Sequence, residues 1–181
     1  MITIHKANLQ TNKYIQKMNV DELIQQFVLM DMNMSTKRVG FTCSCFDLFH
    51  AGHYLMLKDA KKQCDILVVG LQTDPTLDES YRMETEGKNK NKPIQSWEER
   101  LEQIQGCRYV DYVVKYSTEE DLLQILIKLN PEVRILGSDW QGKPYTGHEL
   151  SIPIHWHNRD HDWSTSNLRK RIYEAEVLKR T

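Results

Sequence analysis

The sequence predicts an α/β protein built on a doubly wound parallel sheet of about five strands. Three observations carry this. Short apolar, β-branched runs recur along the chain, helical patterns alternate with them, and the first strand and helix are joined by a turn of phosphate-binding type. Strands alternating with helices pack as a parallel sheet covered on both faces. Ligands on such sheets bind beyond the carboxyl ends of the strands, where the strand order reverses.

The first strand is Lys37-Arg38-Val39-Gly40-Phe41-Thr42-Cys43, apolar enough to sit inside a sheet. Tyr54 to Lys62 follows as a helix, with Tyr54, Leu55, Leu57 and Ala60 among its apolar positions. Asp65 to Leu71 is a second buried-type strand. Together these make a nucleotide-binding half that lacks the G-x-G-x-x-G fingerprint. Gln72-Thr73-Asp74-Pro75 then turns the chain into a long polar segment where Lys88, Lys90 and Lys92 alternate with asparagines. By composition it is a mobile loop.

Ser96-Trp97-Glu98-Glu99 is a capping box for the next helix, which carries Arg100, Leu101 and Ile104. Arg108 to Val114 reads as the third strand and Glu132 to Gly137 as the fourth. Between them Ser117-Thr118-Glu119-Glu120 caps a helix that Asn130-Pro131 stops. Ile152 to Trp156 is the fifth strand, and Ser164-Thr165-Ser166 opens a last helix from Asn167 to about Lys179. Residues 1–36 precede the first strand as an N-terminal extension read as one helix, and residues 37–181 form the main domain. Asn19 caps that helix, Glu22 stands three later, and Val20, Leu23, Ile24, Phe27 and Val28 form one apolar stripe. Met34 offers an alternative start that would make the extension dispensable.

With 181 residues and a net charge of −1, the chain can bury a proper core and carries no global field directed at nucleic acid or an anionic membrane. Phosphate chemistry therefore has to use local groups. The longest apolar run, Ile66 to Leu71, is far too short to span a bilayer, and the stretch from His5 to Lys17 lacks the apolar core of a signal peptide. The expectation is a cytoplasmic protein that engages neither nucleic acid nor membrane. Four cysteines agree with a reducing compartment, and Cys43-x-Cys45 has no second pair to complete a metal site.

The densest chemistry lies in Cys45-Phe46-Asp47-Leu48-Phe49-His50-Ala51-Gly52-His53. At the first turn of a helix, a spacing of three puts both imidazoles on one face beside the turn's unpaired amides. Gly52 lets a ligand approach the backbone. Two imidazoles there suit phosphate oxygens, above all ones gaining charge in a reaction. A helical zinc pair uses i, i+4, which this is not. The spacing alone describes two surface histidines equally well; the strand–turn–helix–strand frame favours the phosphate site.

Phe46 to His53 resembles the H-x-G-H signature of the cytidylyltransferase-like nucleotidyltransferases. The likeness runs from about Arg38 to Arg171 and is nearest to the glycerol-3-phosphate cytidylyltransferase branch. Lys88 to Lys92, Arg100 and Arg108-Tyr109-Val110-Asp111 follow the family's order of basic loop, helix-borne arginine and R-Y-V-D. Gly137-Ser138-Asp139-Trp140-Gln141-Gly142-Lys143 is similar to that branch's G-D-D-W-x-G-K. Arg159 with Ser164-Thr165-Ser166 is similar to the family's R-T-x-G-I-S-T-[ST].

The resemblance implies a Rossmann-like nucleotidyltransferase fold and a symmetrical homodimer. It implies transfer of CMP from CTP to a phosphorylated small alcohol, glycerol-3-phosphate-like, with pyrophosphate released and a CDP-alcohol formed. Anion repulsion and growing charge are the obstacles, so positioning and cationic stabilisation should dominate. Catalytic roles are implied for His50, His53, Arg159 and one of the loop lysines, Lys90 or Lys92. Nucleotide contacts fall to Ser44, Cys45, Phe46, Asp47, Gly52, Arg108, Gly137, Asp139, Ser164, Thr165 and Ser166. Arg108 matches the arginine that donates to the cytosine carbonyl or adjacent phosphate. Asp139, Trp140, Lys143 and Arg100 are implied on the acceptor side. Magnesium (Mg2+) arrives with the nucleotide, and Asp47 would orient a histidine or a magnesium-bound water. Bound phosphate should raise the pKa of both histidines.

The chain also departs from the pattern. Ser44-Cys45 stands where the family has glycine and threonine, and Asp160, Asp162 and Trp163 where it has threonine, glycine and isoleucine. Asp160-His161-Asp162 either binds magnesium or faces solvent. His155 and His157 share one strand face by alternation and, with His161, offer a transition-metal reading. Two other functions stay open. One is an adenylyltransferase using ATP and a sugar phosphate or other phosphorylated acceptor, as in heptose-phosphate or phosphopantetheine adenylyltransferases. The other is a non-catalytic nucleotide-binding module.

Overall fold

The computed structural model describes residues 4–6, 20–22, 25, 37–78 and 90–179. In chain order the elements are β1 (Ile4–Lys6), β2 (Val39–Ser44), α1 (Ala51–Lys61), β3 (Ile66–Gln72), α2 (Trp97–Gln105), β4 (Tyr112–Tyr116), α3 (Glu119–Leu129), β5 (Val133–Gly137), β6 (Ile154–His157) and α4 (Thr165–Leu178). The six strands form one sheet in the order β1-β4-β3-β2-β5-β6. Strands β2 to β6 pair in parallel, as the alternating pattern predicts, and β1 is an antiparallel edge against β4. From β2 the chain builds outward through β3 and β4, then returns to the other side of β2 for β5 and β6. The order therefore reverses at β2, and a ligand crevice belongs at its carboxyl end.

Alternation along the strands feeds two cores, one on each face. Val39, Phe41, Val68, Tyr112, Val114 and Tyr116 point to one face, where Leu122, Ile125 and Leu126 of α3 cover them. Leu67, Val69, Leu71, Val113, Val133 and Ile135 point to the other, against Leu57 and Ala60 of α1 and Leu101 and Ile104 of α2. Helix ends follow the capping expectations. Ser96 and Glu99 form a reciprocal capping box on α2. Thr118 and Asp121 do the same on α3, and Asn130 ends that helix in the left-handed conformation before Pro131.

Three expectations need correction. The N-terminal extension is more than a helix: Ile4–Lys6 completes the sheet edge. Val20, Asp21, Glu22 and Gln25 are helical, and Val20 is 1% exposed in the α3-side core. The proposed cap Asn19, Leu23, Ile24, Phe27, Val28 and the alternative start Met34 lie outside the described residues. The third parallel strand begins at Tyr112 rather than Arg108. Residues 108–111 form a turn instead, because the Val110 amide bonds the Cys107 carbonyl and the Asp111 carboxylate takes both the Leu67 amide and Lys61 Nζ. Helix α4 starts two residues earlier than Asn167, with Ser164 as its cap.

Candidate nucleotide-binding and transfer site

His50 is the N-cap of α1. Its backbone is extended, and its Nδ1 accepts from the Gly52 amide at 3.1 Å. That bond sets the tautomer, since a ring accepting at Nδ1 carries its proton on Nε2. Nε2 faces the Thr165 hydroxyl at 3.4 Å, and that hydroxyl donates to the Asp47 carbonyl at 3.1 Å. His53 stacks on His50 with centroids 3.8 Å apart, while Phe46 meets it edge-on at 5.1 Å. Burial, followed by the charges of Arg159, His161 and Arg171, lowers the pKa of His50. Burial, then His50 and Arg159, pulls His53 down to about 3. Both rings are therefore neutral without an anion. The rise expected on binding phosphate starts from this low baseline.

A cavity of about 250 Å³ opens at the carboxyl ends of β2, β5 and β6. It brings together Ser44, His50, Gly52, His53, Gly137, Asp139, Trp140, Arg159, Ser164 and Thr165 from the sequence-derived set. Arg159 Nη1 lies 3.3 Å from Asp139 Oδ2. A Cβ on Gly137 would collide with the Asp139 carboxylate, so only glycine leaves room for that pair. Ser164 spends its hydroxyl on the Asn167 amide, 3.1 Å away, which leaves the first amides of α4 beside the cavity. Two helix N-termini thus converge on one space with the Arg159 guanidinium, itself paired with Asp139. The arrangement suits an anion of several phosphates.

A second cavity of about 380 Å³ adjoins the first and shares Cys43, Ser44, Leu136 and Trp140 with it. Cys45, Gln72, Glu119, Arg134 and Tyr145 also line it. Lys90 lines it too, its Nζ 5.8 Å above the Trp140 ring. Trp140 therefore stands between the two spaces and carries Lys90, the one sequence-derived lysine among the described residues that reaches either. Lys92 is exposed and contributes only its backbone carbonyl, taken by Arg169 at 2.6 Å. Lys88 lies outside the described residues.

Several expected contacts are used up inside the protein. Asp47 is 5% exposed. Its carboxylate accepts from the Ile94 and Gln95 amides and from Arg169, so it is a clamp rather than an orienter of histidine or water. Arg100, expected on the acceptor side, is 1% exposed and donates to the carbonyls of Cys45, Gln72, Thr73, Gln95 and Ser96. It stitches three chain segments together and lines neither cavity. Phe46 is a core residue at positive φ that props His53 from behind. Gly52 lines the first cavity, and its missing Cβ also makes room for its own chain: a Cβ there would stand 2.7 Å from the Trp163 carbonyl and 2.9 Å from the His161 ring. Lys143 bonds the Asp139 carbonyl at 2.5 Å, and neither it nor the exposed Ser166 lines either cavity.

Arg108 is the sharpest correction. It precedes β4, at the amino end of the strands, whereas both cavities lie at the carboxyl ends. It is exposed, with its guanidinium over the Tyr109 ring. The motif match that named Arg108 carries no information on its end of the sheet, and the start of a parallel strand stands at the amino end wherever that strand begins.

Sequence reasoning missed two groups. Arg169 follows Thr165 by four residues, so helical spacing places both on the side of α4 that faces the H-x-G-H loop. Asp59, on α1, gathers the two strand histidines: His155 Nε2 at 3.0 Å and His157 Nδ1 at 2.9 Å reach the same oxygen. The alternation that suggested a metal pair was therefore the trace of a shared carboxylate. No group of three or more metal-ligating side chains occurs among the described residues.

The parallel sheet, the paired histidines at one helix start and the serine–threonine start of another define a nucleotidyltransferase-type α/β domain. The cytidylyltransferase-like family profile matches residues 41–171, and the chain belongs to that family. It is similar to the bifunctional protein HldE of Campylobacter concisus, 34% identical over 140 residues, covering 77% of this chain and 28% of that one. HldE of Aliarcobacter butzleri is 31% identical over 174 residues, covering 96% and 34% respectively. The chain thus spans about a third of the length of these relatives. A lipopolysaccharide core biosynthesis protein of Thermoplasma volcanium superposes with a TM-score of 0.45 at 24% identity, covering 77% of this chain and 89% of that one. No helix among the described residues is long and apolar enough to cross a membrane.

Proposed function

We propose that this chain transfers AMP from ATP to a sugar phosphate, releasing pyrophosphate and forming an ADP-sugar. The observation that carries it is the pair of adjoining cavities: one faces two helix N-termini, and the other carries Lys90, Arg134 and Glu119. In this reading the triphosphate lies across the first cavity, over His50 and Arg159, with its outer phosphates at the α4 amides. The acceptor phosphate enters from the second cavity past Ser44 and Trp140. One of its oxygens attacks the α-phosphorus, a new P–O bond forms, and the bond to the β-phosphate bridging oxygen breaks. His50 donates from Nε2 to the crowded oxygens, and Lys90 screens the repulsion between the two anions.

Two considerations favour ATP over the CTP expected from the glycerol-phosphate resemblance. The relatives are HldE proteins, which we take as members of the heptose-phosphate adenylyltransferase branch. Arg108, on which cytosine recognition rested, stands at the wrong end of the sheet. The second cavity suits a hydroxyl-rich acceptor, since Glu119 accepts hydroxyl protons while Lys90 and Arg134 attract phosphate.

A magnesium ion is compatible with these residues only in a limited way. Among the described residues Asp139 is the single carboxylate lining the first cavity, and it is shared with Arg159. A hard cation seeking about six oxygens would take most of them from the triphosphate and water, with Asp139 as the protein's contribution. When bound it would supply charge neutralisation on the phosphates.

Pyrophosphate release with ATP and with CTP, each against a panel of sugar phosphates and glycerol 3-phosphate, tests the proposal. ATP with a sugar phosphate should exceed CTP by at least about tenfold in kcat/KM. A preference for CTP with glycerol 3-phosphate would return the function to the cytidylyltransferase reading.

A further inference from the structure

We infer that His157 reads the nucleoside part of the nucleotide, with Nε2 accepting a hydrogen bond from a ribose hydroxyl or from the exocyclic amine of the base. This rests on the first cavity being the nucleotide site. His157 closes β6, in register with Gly137 at the end of β5, and is 7% exposed. Its Nδ1 is 2.9 Å from Asp59 Oδ2. Burial alone would raise the Asp59 carboxyl, but hydrogen bonds from His157 and His155 outweigh it and hold the group below the ordinary carboxylate range. An ionised carboxylate only accepts, so the proton of the His157–Asp59 bond sits on Nδ1. With its proton on Nδ1, the ring presents Nε2 as a bare acceptor. That atom is buried and has no hydrogen-bond partner among the described residues. His157 lines the same cavity as His50 and Arg159.

The phosphates do not satisfy this acceptor. Their oxygens are acceptors themselves, and Arg159, His50 and the α4 amides already face them with donors. A nucleotide offers proton donors elsewhere: the 2′ and 3′ hydroxyls, and the amine at C6 of adenine. A nucleotide lacking the right donor would leave Nε2 buried and unpaired, a loss that polar sites use to reject close analogues. Asp59 does not line the cavity; it acts through His157 by fixing the tautomer and is a positioning residue.

The experiment compares ATP with 2′-deoxy-ATP, 3′-deoxy-ATP and ITP in the full chain. Each is measured as kcat and KM in the wild-type protein and in His157→Phe and His157→Gln. One analogue should fall by about tenfold or more in kcat/KM in the wild-type protein, with the loss in KM. Its identity tells ribose from base. The discrimination should vanish in His157→Phe and return in part in His157→Gln, whose amide oxygen still accepts. Asp59→Asn should narrow it, with the change again in KM rather than kcat.

Equal treatment of all four nucleotides by the wild-type protein would overturn the inference, and needs no variant to fold. Discrimination persisting in His157→Phe would overturn it too, as would a uniform loss across all four nucleotides in that variant. Failure of the nucleotide reading itself looks different: titration calorimetry would then show no ATP binding to the wild-type protein at all.

Discussion

At His53 the fold does something the sequence alone does not announce. The ring stays neutral down to about 3 because it is buried behind Phe46 and stacked on His50. An unfolded histidine, near 6.5, binds a proton that this folded one refuses. The stabilising contribution is therefore complete above pH 6.5 and declines as pH falls from there toward 3. The slope reaches at most about 1.4 kcal/mol per pH unit for one proton. His50, shifted the same way, adds to the decline in the same direction. Replacing His53 with Phe should flatten the fall in urea midpoint between pH 6.5 and 4, measured against wild type. An equally steep fall in both would show that His53 titrates like an exposed imidazole. On the proposed function, the same burial would keep the rings as neutral donors until a triphosphate binds, so the charge they acquire would depend on the ligand.

Between elements, the Asp47 carboxylate joins the H-x-G-H loop, the 92–95 segment and α4 in one clamp. Burial alone would raise its pKa, but bonds from the Gln95 amide, Arg169 and the Ile94 amide outweigh this and hold it below the usual carboxylate range. Arg169 also takes the Lys92 carbonyl, so a single guanidinium closes the clamp. A double-mutant cycle with Asp47→Asn and Arg169→Leu should give a coupling of about 1–3 kcal/mol in unfolding free energy, as a short, mostly buried charge-assisted pair does. Amide exchange at Ile94 and Gln95 should quicken in both variants. A coupling near zero would reduce the pair to a surface contact.

The same clamp marks the limit of what local sequence shows. The strand, helix and cap assignments follow from patterns within about ten residues: apolar alternation in Ile66–Gln72, the Ser96–Glu99 box, the Asn130-Pro131 stop. So does the placement of His50 and His53 at a helix start. Asp47 with Arg169, Asp59 with His157 and Arg100 with the Cys45 carbonyl are separated by 122, 98 and 55 residues. No periodicity encodes such pairs, and a motif match records only that the residue recurs. Arg100 was legible as a residue of the family pattern but not as one turned inward. Arg108 failed for a different reason: the motif match that named it does not record which end of the sheet the residue occupies, and it precedes its strand at the amino end.

For the molecule as a whole, the N-terminal extension belongs to the fold that carries the site. Strand β4 supports Thr73 and the second cavity, since the Thr73 amide bonds the Tyr116 carbonyl and Tyr116 lines that space. Its outer edge is closed by β1, with Ile4, His5 and Lys6 opposite Val114, Val113 and Tyr112. An uncovered strand edge offers unpaired amides and carbonyls to any other chain. Val20 fills a place in the core with Val39, Phe41, Val68 and the α3 leucines, and Lys128 reaches Asp21 at 3.0 Å. Burying one valine contributes about 1.5–3 kcal/mol, and the exposed ion pair adds little. A chain beginning at Met34 should therefore unfold at a clearly lower urea midpoint, by about 2–4 kcal/mol once β1 pairing is included. It should also self-associate through β4, read as a concentration-dependent sedimentation coefficient. Placing Asp at Val20 in the intact chain should reproduce the stability loss without the association, because β1 still covers the edge. If the shortened chain matched the full one in midpoint and stayed monodisperse relative to it, the extension would be dispensable, as the position of Met34 first suggested.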